Sequence, residues 1–158
     1  MPPCHAPAPR QVLIVDDEEP IRRLLAAYFE DLDGFLVRTA ASGEDALEAL
    51  AARHADLCVV DMRLPGINGE QFILTATARG LCRHFLVHTG SVAMTPGKAL
   101  RAAGVGPEDV FVKPHDAALL LRRIHRVLGM CDGSGGQGVA DAEGPAPGEP
   151  PTRERIPE

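Results

Sequence analysis

Side chains that could bind a metal ion or take part in a reaction follow several of the most apolar segments of this 158-residue chain. Asp16 and Asp17 come directly after the run VLIV, and Asp61 comes directly after the run DLCVV. Thr89 and Lys113 follow two further apolar runs. Carboxylate oxygens are ligands that Mg²⁺ prefers, and an aspartate can act as a nucleophile towards a phosphoryl group. These five residues are therefore the candidates for the chemistry of this protein.

The candidate residues need a scaffold that brings distant segments of the chain together. Short apolar runs, rich in β-branched residues, alternate with amphipathic stretches from about residue 10 to residue 128. Strict alternation of strands and helices predicts a parallel sheet with helices on both faces. The predicted strands are 12–15, 35–39, 56–60, 85–88 and 110–112, and the predicted helices begin at Pro20, after a cap at Ser42, near Gly69, at Gly97 and at Ala117. The expected fold class is α/β, with a doubly wound five-stranded parallel sheet.

Ligands of such a sheet bind beyond the carboxyl ends of its strands, where all five candidate residues stand. Three carboxylates gathered there repel one another: at about 4 Å and an effective dielectric constant of about 20, each pair costs roughly 4 kcal/mol. Lys113 offsets one negative charge, and a divalent cation would offset the rest. The chemistry therefore predicts an Mg²⁺ site with coordination positions left for phosphate oxygens.

The chain resembles the receiver domain of bacterial response regulators in five motifs, which stand in the family's order and spacing: VLIVDDEEPIRRLL, GEDALEAL, DLCVVDMRLPGINGE, TG and VKP. The resemblance covers residues 10–128 and implies a flavodoxin-like (βα)5 fold. It implies that Asp61 is the phospho-acceptor. Asp16 and Asp17 match the acidic pair that holds Mg²⁺ together with Asp61. Arg63 matches the position whose backbone carbonyl completes the metal shell.

The same resemblance implies roles for residues at the ends of the last two strands. Thr89 matches the hydroxyl residue that bonds the phosphoryl oxygen, and Lys113 matches the lysine that pairs with the phosphate. The peptide bond between Lys113 and Pro114 is cis in the family. The chain departs from the family at Val110, where Tyr or Phe is usual. Because Phe111 should point to the opposite face of its strand, it is a poor substitute for the aromatic residue that couples Thr89 to a distant surface.

The implied function is signalling, and the protein is expected not to be a classical enzyme: its only reactions would be self-phosphorylation and slow autodephosphorylation. The expected partners are a sensor histidine kinase or a histidine phosphotransfer protein, and an unknown downstream protein target. The segment after residue 128 has neither the length nor the basic character of a helix-turn-helix domain, so we expect a stand-alone receiver. Such a receiver would signal through protein contacts or onward phosphotransfer. Direct binding of nucleic acid is not expected, since the net charge is −6.

Two other functions stay open at this point. A non-switching receiver-like module that binds proteins is favoured by Val110 and opposed by the complete acidic site. A phosphatase-like hydrolase would also place an aspartate with Mg²⁺ at a strand end. However, the second aspartate of the DxDxT/V arrangement is absent, because Met62 and Arg63 follow Asp61.

Several acidic residues also have a purely structural explanation. Asp61 could cap the helix that follows it, but its position between an apolar run and a Pro/Gly loop favours the chemical role. We interpret Glu18 and Glu19 as first-turn acids that are favoured by the helix dipole. His88 is interpreted as a core histidine.

The two ends of the chain differ in composition from the middle. Residues 1–9 are rich in Pro and Ala, and residues 129–158 are dense in Gly, Pro and charge, so both segments are expected to be disordered. The four cysteines show no CxxC spacing and predict no disulfide framework, and Cys58 and Cys82 are expected in the core. The chain lacks the apolar run of a signal peptide and any stretch long enough to cross a bilayer. We therefore expect a cytoplasmic protein without membrane insertion.

Overall fold

A computed structural model of the protein describes residues 8–113 and 116–129. They form one five-stranded parallel sheet with the strand order β2-β1-β3-β4-β5. The strands are β1 (Arg10–Val15), β2 (Phe35–Ala40), β3 (Ala55–Val60), β4 (Cys82–Thr89) and β5 (Val110–Val112). The helices are α1 (Glu19–Glu30), α2 (Gly43–Ala52), α3 (Gly69–Ala78), α4 (Lys98–Ala102) and α5 (Ala117–Leu128). The predicted doubly wound fold is confirmed.

The strands are buried on both faces, as their continuous apolar runs predict. Alternate residues of β1 belong to separate cores, because successive side chains of a strand point to opposite faces. Leu13 and Val15 pack in the core beneath α2, α3 and α4, whereas Val12 and Ile14 pack in the core beneath α1 and α5. Cys58 and Cys82 are buried and free, as predicted.

The largest boundary difference is at the start of β4, and one short element was not predicted. Strand β4 begins at Cys82, three residues before the predicted start, although Arg83 and His84 interrupt the apolar pattern. Pairing with β3 explains the difference, because Cys82 and His84 are in register with Ala55 and Leu57. A short 3₁₀ turn, Pro107–Asp109, was not predicted and leads directly into β5.

Local side-chain contacts fix the helix starts that lie near the expected site. The hydroxyl of Ser42 accepts a hydrogen bond from the backbone N–H of Asp45 at 3.0 Å, which confirms the predicted cap of α2. Asn68 and Gln71 form a reciprocal capping box at the start of α3. At Gly69, a Cβ atom would stand 2.5 Å from the carbonyl oxygen of Asp61. Glycine is therefore required here for the close packing of α3 against the end of β3.

Some predictions fall on residues outside the described ranges. They concern residues 1–7 and 130–158 of the two terminal segments, which include Cys4 and Cys131, and the peptide bond between Lys113 and Pro114. Among the helices that the structure describes, none is long and apolar enough to span a bilayer.

A buried ion pair attaches α5 to the turn that precedes β5. The Nε atom of Arg123 donates to Asp109 Oδ1 at 2.8 Å, and Nη2 lies 3.5 Å from Glu108. The other carboxylate oxygen of Asp109 accepts from the backbone N–H of Gly106 at 2.9 Å. Because the Asp109 side chain is 5% exposed, water cannot stabilise its negative charge, and these partners must do so instead.

We predict that Arg123→Met lowers the free energy of unfolding by about 3 kcal/mol, because it leaves the Asp109 carboxylate buried without its cation. The matched control is Arg122→Met, which removes the same charge from the neighbouring, exposed position of α5 and should change stability by about 0.5 kcal/mol or less. Urea unfolding of the two variants checks this. Equal losses in both variants would show that the ion pair does not contribute to stability.

Candidate functional site

The predicted site residues lie at the carboxyl ends of four adjacent strands. Asp16 follows β1, Asp61 follows β3, Thr89 ends β4, and Lys113 follows β5. Backbone hydrogen bonds continue the sheet into the site: the N–H of Asp61 donates to Val15 at 2.9 Å, and the N–H of Lys113 donates to Thr89 at 2.7 Å. The sheet therefore fixes the relative positions of these residues through the main chain.

The ammonium group of Lys113 is the centre of the site. Its Nζ atom lies 2.9 Å from Asp16 Oδ2, 2.9 Å from Glu18 Oε1 and 3.4 Å from Asp61 Oδ2. The side chains of Lys113, Asp16 and Asp61 are mostly buried, whereas the side chain of Glu18 is 56% exposed. One cation thus holds three carboxylates together across positions that are almost a hundred residues apart in the chain.

This group of carboxylates could hold a divalent cation. One carboxylate oxygen from each of Asp16, Glu18 and Asp61 lies within 4.8 Å of the other two. Lys113 offsets only one of their three negative charges, so the group is left with an excess of negative charge. An all-oxygen set of this kind fits Mg²⁺ or a similar hard cation.

The clustered carboxylates include Glu18, which the sequence did not predict for this site. Asp17 is exposed and is not one of the three clustered carboxylates, so its role as a metal ligand stays a prediction. Glu18 precedes the first residue of α1 and pairs with Lys113, so its interpretation as a first-turn acid is wrong. The cause is a local turn: Asp16 Oδ1 accepts from the backbone N–H of Glu18 at 2.9 Å. Glu19 does occupy the first turn, as predicted.

Arg22 also contributes to the site, although the sequence analysis did not predict it. Its Nη1 atom donates to the backbone carbonyl of Asp16 at 2.7 Å, from the first turns of α1. This contact ties the helix to the end of β1, so it helps to hold the Asp16 carboxylate in place. The arginine one helical turn after the acidic cluster was the available sequence signal.

The pKa values of two site residues, Asp61 and Lys113, are both raised, although by different causes. Burial raises the pKa of the Asp61 carboxyl, and the hydrogen bond from Arg63 N–H and the charge of Lys113 only partly oppose it. Burial lowers the pKa of Lys113, but hydrogen bonds to Asp16 and Glu18 outweigh burial and raise it overall. Lys113 is therefore a permanent positive charge beside Asp61.

Thr89 ends β4, the strand next to β3, and Arg63 lies two residues after Asp61, whereas the roles of both residues stay predictions. Thr89 is fully buried, and its hydroxyl accepts from the backbone N–H of Ser91 at 3.2 Å. Arg63 has an exposed side chain, and its backbone N–H donates to Asp61 Oδ1 at 3.2 Å. The hydroxyl donor of Thr89 is left for another acceptor, since Thr89 acts as an acceptor towards Ser91.

The two residues at the start of β5 point to opposite faces, as predicted. Val110 packs against the core that contains Val87, and Phe111 packs against the core that contains Leu86. Phe111 therefore does not take the place of an aromatic residue at position 110. His88 is buried, which confirms its interpretation as a core residue.

Comparison with known proteins agrees with this geometry. Residues 12–125 match the family described as the response regulator receiver domain. The chain therefore belongs to the receiver domain family of response regulators, whose members are signalling domains rather than classical enzymes. The chemotaxis response regulator CheY4 of Vibrio cholerae superimposes with a TM-score of 0.66 and 26% identity over 76% of this chain and 99% of that chain. A putative response regulator from Chloroflexus aurantiacus superimposes with a TM-score of 0.65 and 29% identity, over 77% of this chain and 98% of that chain.

Two relatives that are similar in sequence are longer proteins. Regulator of RpoS from Escherichia coli K12 is 39% identical over 106 residues, which are 66% of this chain and 30% of that protein. The transcriptional regulatory protein GltR of Pseudomonas aeruginosa is 32% identical over 123 residues, which are 75% of this chain and 49% of that protein. The chain thus spans half or less of the length of these two relatives.

We predict that Asp61→Asn stabilises the protein by about 1 kcal/mol at neutral pH without a divalent cation, because it removes one of the crowded buried charges. Since the pKa of Asp61 is raised on folding, its ionised form opposes folding, and the stability advantage of the variant should shrink as the pH falls through that pKa. Urea unfolding at a series of pH values measures the effect. Asp17→Asn is the control and should change stability little, because Asp17 is exposed; a loss of stability in Asp61→Asn would contradict the prediction.

Proposed function

We propose that the protein is a phosphorylation-controlled receiver whose phospho-acceptor is Asp61. The phosphoryl donor is the phosphohistidine of a sensor histidine kinase or of a histidine phosphotransfer protein. The observation that carries the proposal is the position of the Lys113 ammonium, which contacts Asp16 and Asp61 together at the carboxyl edge of a receiver fold. This arrangement supplies a nucleophile and a fixed positive charge for the incoming phosphoryl group.

The side chains divide the reaction between them. A carboxylate oxygen of Asp61 forms the new O–P bond while the N–P bond to the donor histidine breaks. Lys113 pairs with a phosphoryl oxygen, and the hydroxyl of Thr89 donates a hydrogen bond to the same group. These contacts stabilise the phosphorylated state by charge and position, which is how proteins catalyse most phosphoryl transfers.

Mg²⁺ is the proposed cofactor of this transfer. Asp16 and Asp61 would hold it, and the family pattern adds Asp17 and the backbone carbonyl of Arg63. A bound Mg²⁺ supplies charge that neutralises the phosphoryl oxygens during transfer. The carboxylate oxygens of the clustered acids support this assignment, because their excess of negative charge is matched to a hard divalent cation.

Output is proposed to occur through protein contacts. Phosphorylation adds about −1.5 to −2 units of charge beside Lys113, which can reorganise the surface around it. We propose a cytoplasmic protein that acts on a downstream protein target or passes the phosphoryl group to another histidine domain. Direct contact with nucleic acid is not part of the proposal, given the net charge of −6.

We predict that phosphoramidate or acetyl phosphate labels the protein only when Mg²⁺ is present, and that Asp61→Asn abolishes the labelling. Mass spectrometry of the intact protein measures the added phosphoryl group. The control is Asp45→Asn, an exposed acid in the first turn of α2, which should be labelled like the wild type. Labelling that persists in Asp61→Asn, or that does not need Mg²⁺, would refute the proposal.

A non-switching binding module is the second candidate, and Val110 is the observation that favours it. Val110 is partly buried and carries no aromatic ring that could move with Thr89. The backbone hydrogen bond between Lys113 and Thr89 nevertheless connects the site to β5, so we expect a signal to reach that strand.

The two candidates predict different spectra when beryllofluoride, a phosphoryl mimic, is added with Mg²⁺. For the switching receiver, we predict that amide NMR signals shift in β5 and α4 as well as around Asp61. Asp61→Asn serves as the control and should show no beryllofluoride-dependent shifts. Wild-type shifts that are confined to residues next to Asp61 would favour the non-switching module.

A further inference from the structure

We propose that Glu18 is an internal counter-anion for Lys113, which holds the ammonium group while Asp61 is unphosphorylated and is displaced when a phosphoryl group arrives. Glu18 would thus be a positioning residue that sets the affinity of the site for the phosphoryl group. The inference rests on the proposed function of Asp61.

The hydrogen bonds of Lys113 give the first argument. A lysine ammonium carries three N–H donors and no acceptor. In this structure three carboxylates surround Nζ, at 2.9 Å for Asp16, 2.9 Å for Glu18 and 3.4 Å for Asp61. Each donor therefore has a carboxylate partner, and a phosphoryl oxygen can bind Lys113 only if one of these contacts breaks.

The three contacts differ in how easily they can break. Asp16 is buried, and its carboxylate also accepts the backbone N–H of Glu18, so it is fixed in place. Asp61 carries the phosphoryl group and stays beside Lys113. Glu18 has a side chain that is 56% exposed and can turn into water, where its charge is solvated. Glu18 is therefore the partner that the phosphoryl group displaces.

The role of Glu18 does not follow from its position at the start of α1. Its side chain makes no capping hydrogen bond to the helix, so neutralising it removes no cap. Its neighbour Glu19 bears the same charge, but it lies in the first turn and pairs with Arg23 at 3.3 Å. Glu19 thus provides a control that removes an equal charge one residue away without touching Lys113.

The test is a titration of the full-length protein with beryllofluoride at saturating Mg²⁺, followed by amide NMR or calorimetry. We expect Glu18→Gln to bind beryllofluoride about fivefold more tightly than the wild type, the scale of one exposed ion pair. Glu19→Gln should bind within about twofold of the wild type, which is below the energy of such a pair. Urea unfolding of each variant confirms that it is folded.

Other outcomes overturn the inference in distinguishable ways. Unchanged or weaker beryllofluoride binding by Glu18→Gln, with wild-type binding intact, would refute the role of Glu18 and leave the proposed function standing. A much weaker affinity of that variant for Mg²⁺ alone, in a direct titration, would identify Glu18 as a metal ligand instead. An equal gain in Glu19→Gln would point to general electrostatics. Failure of the wild type to bind beryllofluoride would overturn the proposed function and this inference together.

Discussion

The site depends on one electrostatic constraint, which is that a single ammonium group contacts three carboxylates at the edge of a buried sheet. Without Lys113, Asp16 and Asp61 would be two buried like charges held together by the main chain. With it, the group keeps an excess of negative charge that suits a divalent cation, and also a cation that suits a phosphoryl anion. The same cluster therefore combines the charges that the proposed cation and the proposed phosphoryl group each require.

The sheet makes this arrangement possible because it is rigid where the site needs precision. Strands β1 and β3 are buried on both faces, and their last residues pair directly, so the start of each following loop is fixed. Gly69 lets α3 pack closely against the end of β3, and Arg22 ties α1 to the end of β1. The residues of the proposed site stand at the strand ends and in the loops that follow them, as expected for a parallel sheet.

The side of the domain formed by β5 has its own stabilising contacts. Strand β5 is three residues long, and within residues 8–113 and 116–129 it pairs with β4 alone, so pairing by itself gives it little support. The buried pair of Asp109 and Arg123 joins the preceding turn to α5, and the backbone bond from Lys113 to Thr89 joins the strand's end to the site. Apolar packing adds to these contacts, because Phe111 of β5 lies in the same core as Leu120 and Ile124 of α5.

The sequence by itself determined the fold, and it named Asp16, Asp61 and Lys113, which the structure brings together. Short apolar runs that alternate with amphipathic stretches predict buried parallel strands whose carboxyl ends meet, and the cap at Ser42 follows from local chemistry. The early start of β4 could not be predicted, because Arg83 and His84 break the apolar pattern and pairing with β3 nevertheless keeps them in the strand.

Only the tertiary structure decided which acid joins the cluster. Glu18 and Asp17 are adjacent acids, and nothing local to the sequence ranks them. The choice depends on the turn that Asp16 makes with the Glu18 backbone and on a lysine 95 residues away. The Asp109–Arg123 pair is likewise a contact between separate elements, which composition and periodicity do not encode. Periodic patterns specify strands and helices because those depend on near neighbours, whereas the partners of individual charges are set by the packing of distant segments.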